Sequence, residues 1–227
     1  MVNEHTTGRI VSIDESGTAT ITAVLPNLWH AVDRKYDTVE IILPDGRRIS
    51  PDQRRKCYAL IGEIAEYVEG FRTAETVEDT KKMMKWEFIL HRMESQERKL
   101  FSLANCDMTT AREFITYLID FIIAHDIPTK IPLIEQAEDI ERYIIACLYS
   151  RKCAVCGKPA DIHHVEGSRV GMGGDRGEIH NVGRSVLPLC REHHTICHNG
   201  EQDFIGKYHL TPIVLNADLC KRLKLKP

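Results

Sequence analysis

The sequence predicts an α+β fold in which N-terminal β-hairpins lead into a helical domain, followed by a second unit that binds metal. Polar and apolar residues alternate in places through residues 8–25, around the turn signal Glu15-Ser16-Gly17, as they do in a β-hairpin. After Ser50 the apolar residues recur at helical spacing instead. Five of the eight cysteines and seven of the eleven histidines follow residue 150, a clustering that favours metal ligands over disulfides.

The β part continues with a second predicted hairpin over residues 37–49. The apolar run TVEIIL precedes Pro44-Asp45-Gly46, a turn sequence, and RRI follows it. We therefore expect two hairpins before the first helix.

The helical part has clear local start signals. Ser50 can cap a helix, Pro51 suits the first helical position, and Gln53 can complete a capping box, while Gly70 ends the run. We expect four helices in residues 1–150, with starts near Ser50, Thr76, Thr110 and Pro132. The predicted organisation is an α+β domain over residues 1–150 and a metal-bound domain over residues 151–227.

Composition and charge limit the function. Hydrophobic residues make up 43% of the chain, and no apolar run approaches the roughly 18 residues of a membrane-spanning helix. The sequence MVNEHTTGRI has no apolar signal core, so we expect a cytoplasmic protein without membrane partners. The net charge is −3 overall but +4 from Arg151 onward, so the second domain is the one that favours phosphates.

Two cysteine and histidine pairs have the spacing of a structural zinc site. Cys153 and Cys156 form a CxxC pair, and Cys190 and His193 repeat that spacing. Together they predict a closed Cys3His zinc site. A redox CxxC is disfavoured because no thioredoxin-like βαβ pattern surrounds it. The fourth ligand stays open at this stage, because three other residues lie near enough to compete: His194, Cys197 and His198.

The remaining histidines predict a second site. His163 and His164 are adjacent in an extended segment and should point to opposite sides of it, so that one can bind a metal while the other takes a proton. His194 and His198 are four residues apart and share a helix face. His193 lies about 100° around that helix, so it can face the zinc while His194 faces the second site.

The order CxxC, DIHHV and LPLC-x2-HH resembles the HNH, or ββα-metal, endonucleases over about residues 150–210. The resemblance implies a hairpin and a helix around one catalytic divalent ion, Mg²⁺ or another, with zinc holding them together. It implies that His163 and His194 bind this ion, with His198 as a supplement, and that His164 is the general base. The usual place of the central Asn holds Ser185, and the nearest asparagine, Asn181, is the candidate for that catalytic position.

The same resemblance implies the chemistry of a metal-dependent DNA endonuclease. His164 would deprotonate a water, the ion would stabilise charge on the phosphate and the departing 3′ oxygen, and the products would carry 5′-phosphates. The glycine-rich segment 167–176 would be the hairpin loop, in which Arg169 and Arg176 could bind phosphate.

The arrangement is similar to HNH proteins of phages, in which a domain resembling the Orf-type recombination mediators often precedes the nuclease. The stretch SPDQRRKCYALIGEIAEYV resembles that domain. This implies a phage or prophage recombination or processing system in the host cytoplasm, single-stranded or branched DNA, a homodimer, and a host single-strand-binding protein as partner. Arg54, Arg55 and Lys56 either contact phosphate or form a solvated helix face.

Two non-enzymatic functions remain as alternatives. The chain could be a single-stranded-DNA-binding recombination mediator whose HNH zinc module is degenerate. A zinc-finger regulator is less favoured, because a finger needs no histidines beyond its zinc ligands.

Overall fold

The computed structural model describes residues 8–24, 29, 33, 35, 41, 46–92, 101–165, 167 and 180–226. The strands in these ranges are β1 (Gly8–Ile13), β2 (Ala19–Ala23), β3 (Asp161–His164), β4 (Ser185–Leu189) and β5 (Ile213–Val214). The helices are α1 (Pro51–Glu69), α2 (Ala74–Arg92), α3 (Met108–Ala124), α4 (Leu133–Gln136), α5 (Ile140–Tyr149), α6 (Arg191–Asn199), α7 (Glu201–Tyr208) and α8 (Ala217–Leu223). The predicted mixture of helices and small sheets is therefore confirmed.

The first predicted hairpin is confirmed, because β1 and β2 pair antiparallel. The carboxylate of Asp14 organises the turn by accepting the backbone N–H groups of Ser16 and Thr18, each at 2.9 Å. Gly17 has φ of +85° in this turn, a conformation that favours glycine. The second predicted hairpin lies mainly outside the described residues. In its described part, Arg48 forms an isolated bridge with Asp107.

Helix α1 begins and ends where its sequence predicts. Ser50 Oγ accepts the N–H of Gln53 at 3.0 Å, and Gln53 Oε1 accepts the N–H of Ser50 at 3.1 Å. Gly70 ends the helix in the left-handed conformation, with φ of +78°. The capping box and the C-terminal glycine are local signals, so tertiary packing was not needed to predict them.

The other predicted helix starts need correction. Helix α2 begins at Ala74, before Thr76, and α3 begins at Met108, before Thr110. In α3 the cap is Asp107, whose carboxylate accepts the N–H of Thr110 at 2.8 Å, so Thr110 lies inside the first turn.

The single helix predicted from Pro132 through Leu148 is wrong, because the chain forms two helices there. Pro132 is the N-terminal cap residue of α4, which lasts one turn, and Ala137 is extended, with φ of −65° and ψ of 132°. Asp139 then caps α5, where its carboxylate accepts the N–H of Arg142 at 3.0 Å. A new cap inside an apolar stripe therefore divides what the hydrophobic periodicity joined.

The second sheet has the order β3-β4-β5, with all pairs antiparallel. Its register places His163 opposite Leu187 and His164 opposite Val186. Helix α5 contacts β4, β5 and α8. The buried apolar side chains of the helical part and of this sheet belong to one cluster, to which α5 contributes Tyr143, Ile144, Cys147 and Leu148. The division into domains at residue 150 stays a prediction.

The chain after Cys190 forms two consecutive helices. Helix α6 ends at Asn199, and α7 begins at Glu201. Gly200 separates them with φ of −178° and ψ of 75°, an extended backbone that an α-helix cannot contain. This break matters for the site, because Glu201, the first residue of α7, is buried.

Candidate metal centre and catalytic site

The first cluster of ligand atoms forms at the turn that follows α5. The ligand atoms of Cys153, Cys156, Cys190 and His193 all lie within 4.8 Å of one another. Nδ1 of His193 is 3.5 Å from Sγ of Cys153 and 3.3 Å from Sγ of Cys190, and the sulfurs of Cys156 and Cys190 are 3.7 Å apart. The predicted zinc set is thus brought together with His193 as its fourth member. Three sulfurs and one imidazole nitrogen are a donor set that suits structural zinc.

The backbone around the first pair holds the two sulfurs on one turn. The N–H of Cys153 donates to the carbonyl of Lys158 at 2.7 Å, and the N–H of Gly157 donates to the carbonyl of Cys153 at 2.8 Å. Gly157 has φ of +69°, a conformation that few other residues adopt without strain. The CxxC turn is therefore closed by its own backbone hydrogen bonds.

Cys190 is the N-terminal cap residue of α6. Burial raises the pKa of this thiol, but the backbone hydrogen bond from His193 and the contacts with Cys156 and Cys153 outweigh burial and leave the pKa below its usual value. A helix N-terminus stabilises a thiolate in this way. Because zinc binds the thiolate form, this position suits a ligand.

The second cluster consists of three imidazoles, two on α6 and one on β3. The ring centroid of His163 is 4.6 Å from that of His194 and 4.9 Å from that of His198, and the last two rings are 4.7 Å apart. One nitrogen from each ring lies within 4.8 Å of the others. The i,i+4 spacing on α6 and the strand position of His163 therefore converge as the sequence predicted, although their role as metal ligands stays a prediction.

Burial keeps His163 neutral. The residue is 1% exposed, and burial lowers its pKa to about 4, an effect that the hydrogen bond to Glu201 only partly offsets. Burial also lowers the pKa of His194. Only a neutral imidazole has a lone pair for a metal, so both rings are in the form that ligation requires.

The two ring nitrogens of His163 have different surroundings. Nε2 is 3.3 Å from Oε2 of Glu201 and 3.5 Å from Sγ of Cys197. Nδ1 is buried and has no hydrogen-bond partner. The sequence interpretation considered Cys197 as a competing zinc ligand, but the structure places it beside His163. It did not include Glu201 at all.

His164 contacts a different partner from His163. Nε2 of His164 is 3.2 Å from Oδ1 of Asn181, which is 5% exposed. Nδ2 of Asn181 donates to the carbonyl of Lys226 at 3.0 Å, which fixes the amide with its oxygen toward the histidine. Oδ1 can only accept, so Nε2 of His164 carries the proton and Nδ1 keeps the lone pair. Asn181 thus lies where a residue that orients His164 must lie.

The predicted phosphate contacts divide into two groups. Arg169 and Arg176 lie outside the described residues. The other three have intramolecular partners: Arg54 donates to the carbonyls of Leu103 and Ala104, Arg55 pairs with Asp52, and Lys56 pairs with Glu138. Only the side chain of Arg55 is largely exposed, at 76%. Their contact with DNA stays a prediction.

A comparison with protein families identifies the group to which this site belongs. The model of the family described as "Putative HNHc nuclease" matches residues 30–226. The chain belongs to this HNH nuclease family. The match includes both ligand clusters and also most of the helical part, so the family extends well beyond the segment that resembles HNH endonucleases in sequence.

One curated protein also matches part of this chain. The "Uncharacterized protein YdfU" of Escherichia coli (strain K12) is 43% identical over 60 residues, which are 26% of this chain and 16% of that protein. The chain therefore spans only about a sixth of the length of this relative. No solved structure matches the chain.

No helix in the described ranges combines the length and the hydrophobicity that crossing a membrane requires.

Proposed function

We propose that the chain is a metal-dependent DNA endonuclease of the HNH type. The observation that carries the proposal is the arrangement of two adjacent histidines on β3. His163 faces His194 and His198, while His164 contacts Asn181. A candidate metal site and a candidate base thus lie one residue apart. We take the antiparallel strands β3 and β4 together with helix α6 as the hairpin and helix of the proposed HNH module.

The residues of the histidine cluster fit a divalent ion. Nδ1 of His163 is a buried polar atom without a hydrogen-bond partner, and its ring lies next to two further imidazoles. A bound ion would satisfy the lone pair of this nitrogen, which burial otherwise leaves without a partner. Imidazole donors suit transition metals, whereas Mg²⁺ prefers oxygen donors. We therefore propose a divalent transition ion at this site, with Mg²⁺ as the alternative.

The protein residues would act around the phosphate as follows. His164 accepts the proton of the attacking water on Nδ1, because Asn181 holds its Nε2–H. Neutral histidine is a suitable base near neutral pH. When bound, the divalent ion supplies Lewis acidity toward the phosphate oxygens and the leaving oxygen. Arg169 and Arg176 would add phosphate contacts from the preceding glycine-rich segment.

The Cys3His cluster has a structural part in this proposal. Zinc bound there would join the 153–156 turn to the N-terminus of α6, and α6 carries His194 and His198. Because all four positions of a tetrahedral ion would be filled by protein ligands, no position would be open for substrate. We therefore propose that zinc holds α6 in place and takes no part in hydrolysis.

The biological setting is proposed from sequence resemblance. It comprises a phage or prophage recombination or processing system, single-stranded or branched DNA as substrate, a homodimer, and a host single-strand-binding protein as partner. The +4 charge after residue 150 agrees with a phosphate-binding second domain.

A nicking assay tests the proposal. Supercoiled, linear, single-stranded and branched DNA are incubated with the full chain and Mg²⁺, Mn²⁺ or Ni²⁺, and DNA binding is measured by gel shift in EDTA. We expect cleavage by the wild type and by His125→Ala, a control at an exposed histidine whose ring lies beside Phe121. His164→Ala should not cleave. A wild type that binds DNA but cuts no form with any ion would favour the recombination mediator.

A further inference from the structure

His163 and Glu201 form a buried pair. The proposed function gives His163 a role as a metal ligand but gives Glu201 none. Their side chains are 0% and 3% exposed, and Nε2 of His163 is 3.3 Å from Oε2 of Glu201. Burying a carboxylate is costly unless hydrogen bonds or charges compensate for its lost hydration. Its position in the first turn of α7 offsets part of that cost through the helix dipole. A hydrogen-bond donor to the carboxylate would offset a further part of this cost, and Nε2 of His163 lies at hydrogen-bonding distance from it.

The hydrogen bond determines which nitrogen of His163 carries the proton. An imidazole that binds a metal ion is neutral, so it keeps a single N–H group. A carboxylate can only accept, so the proton lies on Nε2. The lone pair is then on Nδ1, the buried atom without a partner, in the ring that adjoins His194 and His198.

We propose that Glu201 is a positioning residue that holds His163 as its Nε2–H tautomer and thereby presents Nδ1 to a divalent ion. The inference rests on the proposed function in taking the three histidines as the metal site. A ligand histidine whose second nitrogen donates to a carboxylate is fixed in tautomer and orientation and becomes a better donor to the metal. Gly200 separates α6 from α7, and Glu201, the first residue of α7, lies beside His163 of β3.

Cys197 defines the competing possibility. Its sulfur is 3.5 Å from Nε2 of His163, and the ligand atoms of His163, Cys197 and Glu201 lie within 4.8 Å of one another. An ion bound by these three residues would need the lone pair of Nε2, which leaves the proton on Nδ1. The two metal positions are therefore mutually exclusive, since a neutral imidazole has one lone pair on one nitrogen.

The tautomer can be read directly in the full-length protein. Long-range ¹H–¹⁵N spectra of histidine-labelled wild type, loaded with one equivalent of zinc, should show His163 as the Nε2–H form. A His163 signal with the proton on Nδ1 would overturn the proposal, and this measurement needs no variant that must fold.

Metal affinity supplies the second measurement. Calorimetric titration with Mn²⁺ or Ni²⁺ should show a loss of about 10-fold to 100-fold for Glu201→Leu, the usual cost of removing a partner of a ligand histidine. Glu201→Gln should lose less, because its amide oxygen can still accept. The matched control is Glu192→Gln, an exposed glutamate in the first turn of α6 that lies near Lys158. Zinc content and melting temperature report whether each variant folds.

The outcomes separate this inference from the proposed function. Wild-type affinity in a folded Glu201→Leu, or a cobalt–thiolate absorption that Cys197→Ser removes, would overturn the positioning role even if DNA is cleaved. Affinity that depends on Glu201, in a protein that cleaves no DNA, would support the positioning role and reject the nuclease.

Discussion

Oδ1 of Asn181 lies 3.2 Å from Nε2 of His164, although 17 residues separate the two along the chain. Asn181→Ala should therefore lower kcat by about 100-fold, the scale expected when a catalytic group loses its alignment. DNA affinity should stay near wild type, because the change removes no cation. Single-turnover cleavage and gel shift measure the two effects, and equal cleavage by the variant and the wild type would exclude an orienting role.

Asn181→Asp should change the pH dependence instead of simply lowering the rate. A carboxylate beside His164 would favour the imidazolium over the neutral ring. A general base works only when it is unprotonated, so the acidic limb of the kcat/KM profile should move to higher pH. An unchanged limb in a variant that still cleaves would show that His164 is not the general base.

His164→Ala and His163→Ala should differ in their response to metal. Loss of the base should lower cleavage by about 10²-fold to 10⁴-fold, and excess Mn²⁺ should not restore it. Loss of His163 should weaken metal binding, so excess Mn²⁺ should recover part of the activity. Both variants should keep their zinc. If both variants cut like the wild type, the cleavage comes from a contaminant or from another site.

One zinc per chain should remain bound when the protein is purified without added metal. Metal analysis should give about one equivalent, held by Cys153, Cys156, Cys190 and His193, because these ligand atoms already lie together. Cys190→Ser should lose this zinc and unfold the C-terminal part, as measured by circular dichroism and proteolysis. A folded wild type without any metal would contradict the structural zinc.

Tyr143→Phe should destabilise the protein without changing its ligand residues. The hydroxyl of Tyr143 donates to the carbonyl of Ala154 at 2.8 Å in a buried contact between α5 and the CxxC turn. Its loss leaves a buried carbonyl without this donor, which costs about 1–3 kcal/mol of unfolding free energy. Tyr149→Phe is the matched control, since Tyr149 is exposed and its ring remains beside Arg222. Equal melting temperatures for the two variants would show that the hydroxyl contributes little.

Residues 1–150 should bind DNA, with an affinity that falls as salt rises. Because Arg54 and Lys56 have buried or half-buried partners, the informative change is Arg55→Gln, at the most exposed of the three cations. It should reduce the magnitude of the slope of log Kd against log salt by about one, the effect of losing one phosphate contact. The full chain should show the same reduction. Arg54→Gln should instead lower the melting temperature. A wild-type slope in Arg55→Gln would remove this residue from the interface.

The predictable parts of the fold and of the candidate site are those that local sequence determines. The capping box at Ser50 and the two pairs of zinc ligands involve residues at most three positions apart, so spacing alone locates them. The shared face of His194 and His198 follows from helical periodicity in the same way.

The remaining parts depend on contacts between distant segments. Glu201 lies 38 residues after His163, and it follows the backbone break at Gly200. The sequence holds a weak signal for this break, because glycine in a helical pattern often ends a helix. The orientation of the Asn181 amide is harder to predict from the sequence, because it depends on a hydrogen bond to the carbonyl of Lys226. The division between α4 and α5 had a readable signal in Asp139, which the continuous apolar stripe obscured.

The hydrogen bonds from Asn181 to the carbonyl of Lys226 have a consequence for biosynthesis. Both the backbone N–H and the side-chain amide of Asn181 donate to this one carbonyl, at 3.1 and 3.0 Å. A ribosome adds residue 226 after residues 164 and 181, so a nascent chain carries His164 and Asn181 before this carbonyl can hold the amide. Premature termination between residues 181 and 226 would therefore release a protein whose candidate base lacks this alignment.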